Sequence, residues 1–412
     1  MNLSRFNRAA VRHLTMRNYD AYEQVLKAIK ARGDIWMVSQ GEYMAWWQRR
    51  NEATLRITVT DGICQAESSL EGKGAVFEKF PSSGTAECEN AQFSGEVWLT
   101  IDSTLEKREV LIEILKREGI LNYRVAQDGD FFLSREEMTP LLSRIDTKLH
   151  KQDWPLKIDI NAIRQLIIDK LAEHGLPLVR IWYHPVIDGT IIKAVLSPRY
   201  DVDRAITNLS RIRALEQKYG VTSTLYLRAF SPFYSDRNIK ALASSAWCTE
   251  IGLHGEFARN SRQYGDEFSA AGAEKQHLER LVGRPVVGVC MHGGEMTSNV
   301  NKHTTDVLEK TGFLYDTTPG MSYYLPFRPI KNGEVRDIYL LNHVFGDIKV
   351  PSSRHYTRDF YEKVMEKMNK VYEHNGVFVL TLHPVYFNFF AYLFHPRNFA
   401  RLVRFFWDSF NQ

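Results

Sequence analysis

Two aspartates and three histidines in this sequence have the types and spacing for divalent-metal chemistry. Asp201 and Asp203 sit two apart in the run from Arg199 to Arg204. His254 follows Gly252-Leu253, His292 opens the glycine-rich His292-Gly293-Gly294, and His383 precedes Pro384. Carboxylate oxygen and imidazole nitrogen are the donors that zinc-like ions take, and three protein ligands leave a position open for water. Singly, each feature has a plainer reading. Asp203 can cap a following helix, a histidine after a strand can be a hydrogen-bonded core residue, and Gly293-Gly294 can be a tight turn. The case for a shared site is joint: all of them fall just past predicted strands.

Those strands belong to a regular alternation that begins near residue 186. Strands are predicted at 192–196, 222–227, 250–253, 286–289 and 377–382, with weaker ones near 313–315 and 338–340. Helical patterns at 204–219, 270–281, 301–311 and 359–372 lie among them. Alternating strands and helices imply parallel pairing, hence an α/β fold: a barrel or open sheet of about seven strands. In such folds functional side chains gather at the carboxyl ends of the strands, where these five residues lie.

The preceding half divides by pattern into three parts. Residues 1–52 are helical: 19–32 carry Tyr22, Val25, Leu26 and Ile29 on one face, 35–38 read as a short strand, and Ser39 with Glu42 has capping-box spacing ahead of Trp46 and Trp47. Residues 53–101 read as a small β-rich module, in which Leu55, Ile57 and Val59 alternate before an Asp61-Gly62 turn. Residues 102–185 read as an α+β scaffold or linker, with helices at 105–118 and 158–174 and no chemical constellation. Residues 186–412 form the proposed barrel domain.

Composition sets outer bounds. The 412 residues carry 53 Lys plus Arg against 49 Asp plus Glu, a net charge of +4, which argues against nucleic-acid binding. There is no Walker lysine motif and no GxGxxG after a strand, so nucleotide binding finds little support. Four scattered cysteines make neither a disulfide framework nor a thiolate zinc cluster. The first residues lack a continuous apolar stretch, and the hydrophobic run 385–407 contains His395, Pro396, Arg397, Arg401 and Arg404. Neither reads as a signal or a membrane span, so a cytoplasmic protein is expected. Nine of the thirteen histidines fall between His254 and His395, which agrees with a histidine-bearing site in the second half.

The motifs together resemble the polysaccharide deacetylases of the NodB-homology type, carbohydrate esterase family 4. The matching pieces are YDVDR at 200–204, EIGLHGEF at 250–257, GRPVVGVCMHGG at 283–294, GFLYDTTPG at 312–320 and VFVLTLHP at 377–384, in the family's order. The resemblance implies a distorted (β/α) barrel with a divalent metal, usually zinc, that removes an acetyl group from an N-acetylated sugar or cleaves a related C–N amide. It implies Asp201 as general base, His383 as general acid, and Asp203 and His254 as metal ligands. The family's HxxxH motif fails here, since Ala258 stands four after His254; His292 fits the place of the second ligand. The arginine that orients the base in the family is absent from Val289-Cys290-Met291, and Arg199 is its candidate substitute. Arg199, Tyr315 and Asp316 are also expected to meet the substrate.

These departures keep a second function in play: a catalytically degenerate barrel that binds a glycan or a partner, with Tyr315, Tyr323, Tyr324, Phe327 and Tyr386 as stacking residues. An unrelated amidohydrolase-type barrel would need an HxH that is lacking. The segment 19–50 raises a separate question. Its Gly33-Asp34-Ile35-Trp36 and Trp46-Trp47-Gln48-Arg49-Arg50 resemble features that follow the late histidine in the family, yet here they precede the barrel. Either the segment ends a second, truncated domain of a tandem protein, or the barrel is permuted and 19–50 complete it. The interposed β-rich module favours the tandem account.

Overall fold

The computed structural model describes residues 19–52 and 184–387, apart from 205, 207–208, 294–298, 302, 321–323, 327, 329, 332–333 and 348–355. Between 53 and 183 it describes the backbone of six short strands. Two of these, Leu55–Thr60 and Ile63–Ser68, pair antiparallel around residues 61–62, as the alternation of Leu55, Ile57 and Val59 predicts. The helices expected at 105–118 and 158–174, and the apolar run beyond residue 387, lie outside the described residues.

The core is one parallel sheet of nine strands. In chain order they are β1 (Ile35–Met37), β2 (Ala194–Val202), β3 (Thr224–Leu227), β4 (Glu250–Gly255), β5 (Gly288–Met291), β6 (Tyr315–Asp316), β7 (Tyr339–Leu340), β8 (His343–Gly346) and β9 (Val377–Leu382). The pairing runs β7-β6-β5-β4-β3-β2-β9-β8, with β1 also on β2. All five principal predicted strands are present, and the two weaker ones appear as two-residue pieces. The excess over the expected seven comes from β1 and β8. This is the α/β barrel architecture that the sequence predicts.

Helices follow the strands: α1 over residues 19–30, α2 (Gln40–Glu52), α3 (Leu209–Tyr219), α4 (Asp236–Ala243), α5 (Phe257–Tyr264), α6 (Glu267–Val282), α7 (Thr304–Lys310) and α8 (Tyr356–Glu373). Each has an apolar face on the sheet. On α1, Tyr22, Val25, Leu26 and Ile29 are fully buried with the even-numbered side chains of β2, Leu196, Tyr200 and Val202. The odd-numbered β2 side chains point to the other face, into the lumen. Burial on both faces explains why β2 reads as a continuous buried run rather than an alternation.

Pro198 lies inside this central strand, where a missing N–H would ordinarily cost a ladder bond. Val195 donates to Gly376 O on one edge, whereas Leu196 accepts from Val38 on the other. By that alternation Pro198 faces the second edge. There, β1 pairs last at Leu196 and β3 pairs first at Arg199, so the proline falls in the gap between two neighbours.

Residues 19–52 therefore join this sheet rather than stand beside it: Ile35, Trp36 and Met37 pair with Ala194, Val195 and Leu196. This pairing is what the permuted account of the segment expects. Helix α2 enters the amino end of the lumen, where Tyr43, Met44, Trp46 and Trp47 pack on Val195, Tyr226 and Tyr315. Its first turn is held from the strands. Ser39 N donates to Thr222 Oγ1 at 2.9 Å, Gln40 N to Thr224 Oγ1 at 2.9 Å and Gly41 N to Glu250 Oε2 at 2.7 Å. The Ser39 hydroxyl accepts from Glu42 N, as its spacing predicts. Two glycines make room above this plug. A Cβ on Gly252 would lie 2.4 Å from the Tyr226 ring, and one on Gly288 would lie 2.3 Å from Tyr315.

Candidate functional site

At the carboxyl end of the lumen three predicted residues come together. His254 is the last residue but one of β4, and His292 follows β5. Both turn Nε2 toward one oxygen, Asp203 Oδ1, at 3.2 and 3.3 Å. Ligand atoms about 2.1 Å from a tetrahedral ion lie roughly 3.4 Å from one another, so these separations suit a shared zinc-like ion. The other ring nitrogens are already engaged. His254 Nδ1 meets the Cys290 carbonyl at 3.0 Å, and His292 Nδ1 meets Glu256 Oε1 at 3.0 Å. A histidine held at Nδ1 by a carbonyl or carboxylate presents Nε2 to a metal in a fixed direction. Burial alone would raise the Asp203 carboxyl, but its hydrogen bond to His254 and the nearby histidines hold it well below the usual range. The donor set and its supports fit a divalent ion.

Glu256 is itself held on three sides. Arg228 Nε and Nη2 donate to its Oε2 at 2.9 and 2.7 Å, and its own N–H donates to buried Glu274 at 3.1 Å. Burial alone would raise its pKa, yet His292 and Arg228 bring it down to about 2. It thus stays anionic across the physiological range.

Asp201 lies on the lumen side of β2, two residues before Asp203. Arg199, on the same face, donates to its Oδ2 at 3.0 Å. The same guanidinium donates to both the carbonyl and the hydroxyl of Thr317. Asp201 Oδ1 is buried and has no hydrogen-bond partner. A second donor group, Asp201, His254 and Cys290, also lies within ligand reach. Burial pushes the Cys290 thiol well above its usual pKa, so it stays neutral and the Asp203, His254 and His292 group is the better ion site.

His383, just past β9, completes the rim. Asp347 accepts from its backbone N–H and meets its Nδ1, both at 2.7 Å. Burial alone would lower the imidazole pKa. The Asp347 ion pair, helped by Asp203 and Asp201, instead brings it up to about 9.

Of the residues expected to meet the substrate, Arg199 and Asp316 are buried, Arg199 against Asp201 and Asp316 against Thr318. Asp316 Oδ1 accepts from Thr318 N at 2.8 Å, shaping the Thr317–Thr318 turn that holds Arg199. Tyr315 is fully buried, and its hydroxyl donates to Glu250 at 2.7 Å, at the opposite end of the barrel. A two-residue strand facing Gly288 leaves its ring nowhere to go but down the lumen. Among the stacking candidates, Tyr324 packs on His374 at a centroid distance of 5.6 Å. Tyr323, Phe327 and the Tyr386 side chain lie outside the described residues.

Sequence reasoning missed Glu256, Arg228 and Asp347. Glu256 was within reach, since the residue two after His254 shares its side of the strand. Asp347 was hidden because the short strand His343–Gly346 that delivers it has no clear periodicity.

No family model matches the sequence, and no curated protein does. Among solved structures the chain is similar to a Mycobacterium smegmatis protein assigned as a polysaccharide deacetylase, at 17% identity, 53% coverage of this chain, 84% of that one and a TM-score of 0.39. It is similar to Puue allantoinase at 15% identity, covering 53% of this chain and 84% of that one, with a TM-score of 0.35. It is also similar to a pseudoenzyme of the CE4 family from Bacillus anthracis at 15% identity, covering 48% and 57%, with a TM-score of 0.29. At these values the chemistry rests on this chain's own residues.

Proposed function

We propose that the protein is a metal-dependent hydrolase that removes an acetyl group from an N-acetylated sugar, or cleaves a related C–N amide bond. The observation that carries this reading is the convergence of His254 Nε2 and His292 Nε2 on Asp203 Oδ1, with both Nδ1 atoms engaged elsewhere. Asp203, His254 and His292 would hold the ion, which supplies Lewis acidity toward the amide carbonyl and toward water when bound. Asp201 offers its unpartnered Oδ1 as the proton acceptor, aimed by the Arg199 bond to Oδ2. His383, protonated below about 9, delivers a proton from Nε2 to the departing amine. After release, the proton on Asp201 returns to solvent and His383 is reprotonated, which closes the cycle.

The reading is tested by zinc titration and acetate release from N-acetylglucosamine oligomers. One ion per chain is expected. Asp203→Asn and His254→Ala should lose it by about 100-fold or more in affinity, a larger loss than changes outside the ligands cause. Asp201→Asn should keep the ion and lose turnover. A chain that binds no divalent ion at neutral pH ends the proposal. Glycan binding without acetate release, unchanged in Asp201→Asn, selects the binding-module reading instead.

A further inference from the structure

The large apolar side chains exposed among the described residues are three: Phe230 at 40%, Phe233 at 50% and Phe268 at 47%. Two of them share the loop after β3, and the fold fixes where that loop sits. Tyr234, also in the loop, donates its hydroxyl to Val202 O at 3.0 Å and accepts from Arg228 N at 2.7 Å. That single phenol ties the loop across the carboxyl ends of β2 and β3, immediately beside Asp203. Phe233, its neighbour, meets the guanidinium of Arg204, which lies 5.0 Å from the ring centroid. Phe230 packs against Tyr264 at 6.1 Å and leaves part of its ring in solvent.

Arg204 follows the metal-ligand candidate Asp203 directly and is half-buried. Among the described residues no carboxylate pairs with it. A ring face attracts a guanidinium but does not neutralise it. The rim thus holds a permanent positive charge with free donors, one residue from the site, next to exposed aromatic surface. That combination suits a ligand with an apolar ring face and an anionic group, since guanidinium forks match carboxylate and phosphate oxygens.

Resting on the hydrolase reading above, we infer that Arg204 and Phe233 form a substrate-selecting rim, and that the substrate is an N-acylated sugar bearing a carboxylate or a phosphate. The anion binds Arg204 while the sugar ring lies against the open part of the aromatic ledge. The acyl group then reaches the ion held by Asp203.

Three probes separate the outcomes: N-acetylglucosamine, its 1-phosphate, and its uronic acid, each tested with the zinc-loaded protein by calorimetry and by acetate release. An anionic probe should bind about tenfold or more tighter than the neutral sugar, the scale of a hydrogen bond to a charged group. Preference for one anionic probe over the other identifies the anion. The preference should shrink in high salt, collapse toward unity in Arg204→Gln and persist in part in Arg204→Lys. Retained zinc affinity in Arg204→Gln shows that the variant is folded. Equal binding of neutral and anionic probes, or a preference that survives Arg204→Gln, overturns the inference. An Arg204-dependent preference without acetate release from any probe keeps the rim and discards the hydrolase reading.

Discussion

At the scale of single residues, the site works by pairing each functional group with one that fixes it. His383 is the clearest case, because Asp347 brings its pKa up to about 9 against burial. A general acid must carry its proton, so activity should fall as pH rises through about 9, and Asp347→Asn should move that fall toward the ordinary histidine value of 6.5. A pH–rate profile of both proteins checks this; an unmoved alkaline limb would remove His383 from the role. Because the folded pKa is raised, the same pair contributes stability that is full below 6.5 and is lost as pH climbs through about 9. Glu256 holds the Nδ1 of His292 as Asp347 holds that of His383. Glu256→Ala should weaken zinc binding about 10–100-fold, with Glu256→Gln milder because an amide oxygen can still accept from Nδ1. Competition with a chromophoric chelator reads this without any substrate. The five candidate residues were legible in the sequence because each stands at or just past the carboxyl end of a strand. Their supports were less so: Arg199 was read as a candidate to orient Asp201, which its bond to Oδ2 matches, whereas Glu256, Arg228 and Asp347 were not read at all.

At the scale of elements, strand ends decide which side chains meet, and the lumen decides which cannot. The order of strands and the positions of the main helices were readable from periodicity and turn residues. The short helices Asp236–Ala243 and Phe257–Tyr264 were not, being too brief to show a repeat. Nor was the inward path of Tyr315, which depends on the bare backbone of Gly288 in the neighbouring strand. Gly252→Ala and Gly288→Ala test this stacking, because each added methyl meets a tyrosine ring within 2.4 Å. Overpacking of a filled lumen should cost about 1–3 kcal/mol. Urea denaturation is the measurement, and near-neutral substitutions would mean that the rings have space to withdraw.

At the scale of the whole molecule, a segment from the first eighth of the chain adds a strand to a sheet built from the second half. The sequence displays the parts of that pairing, with Ile35 to Val38 as a strand and Trp46 with Trp47 on a helix. It could not display their destination, since long-range pairing leaves no local signal. Trp47 is fully buried in the lumen plug, so Trp47→Ala should lower stability by about 3–5 kcal/mol, measured by denaturant unfolding. A loss below about 1 kcal/mol would mean that the plug contributes little to the fold. That long-range pairing also sets an order of events during synthesis. Ser39 and its partner Thr222 are 183 residues apart. At roughly 5–20 residues per second, the helices over 19–52 leave the ribosome some 10–40 s before the strands that cover them. For that interval Tyr22, Ile29, Trp46 and Trp47 have no sheet to lie on. The nascent chain is therefore a client for whatever shields apolar helices at the tunnel exit, and the yield of folded protein should depend on that shielding more than on the stability of the finished barrel.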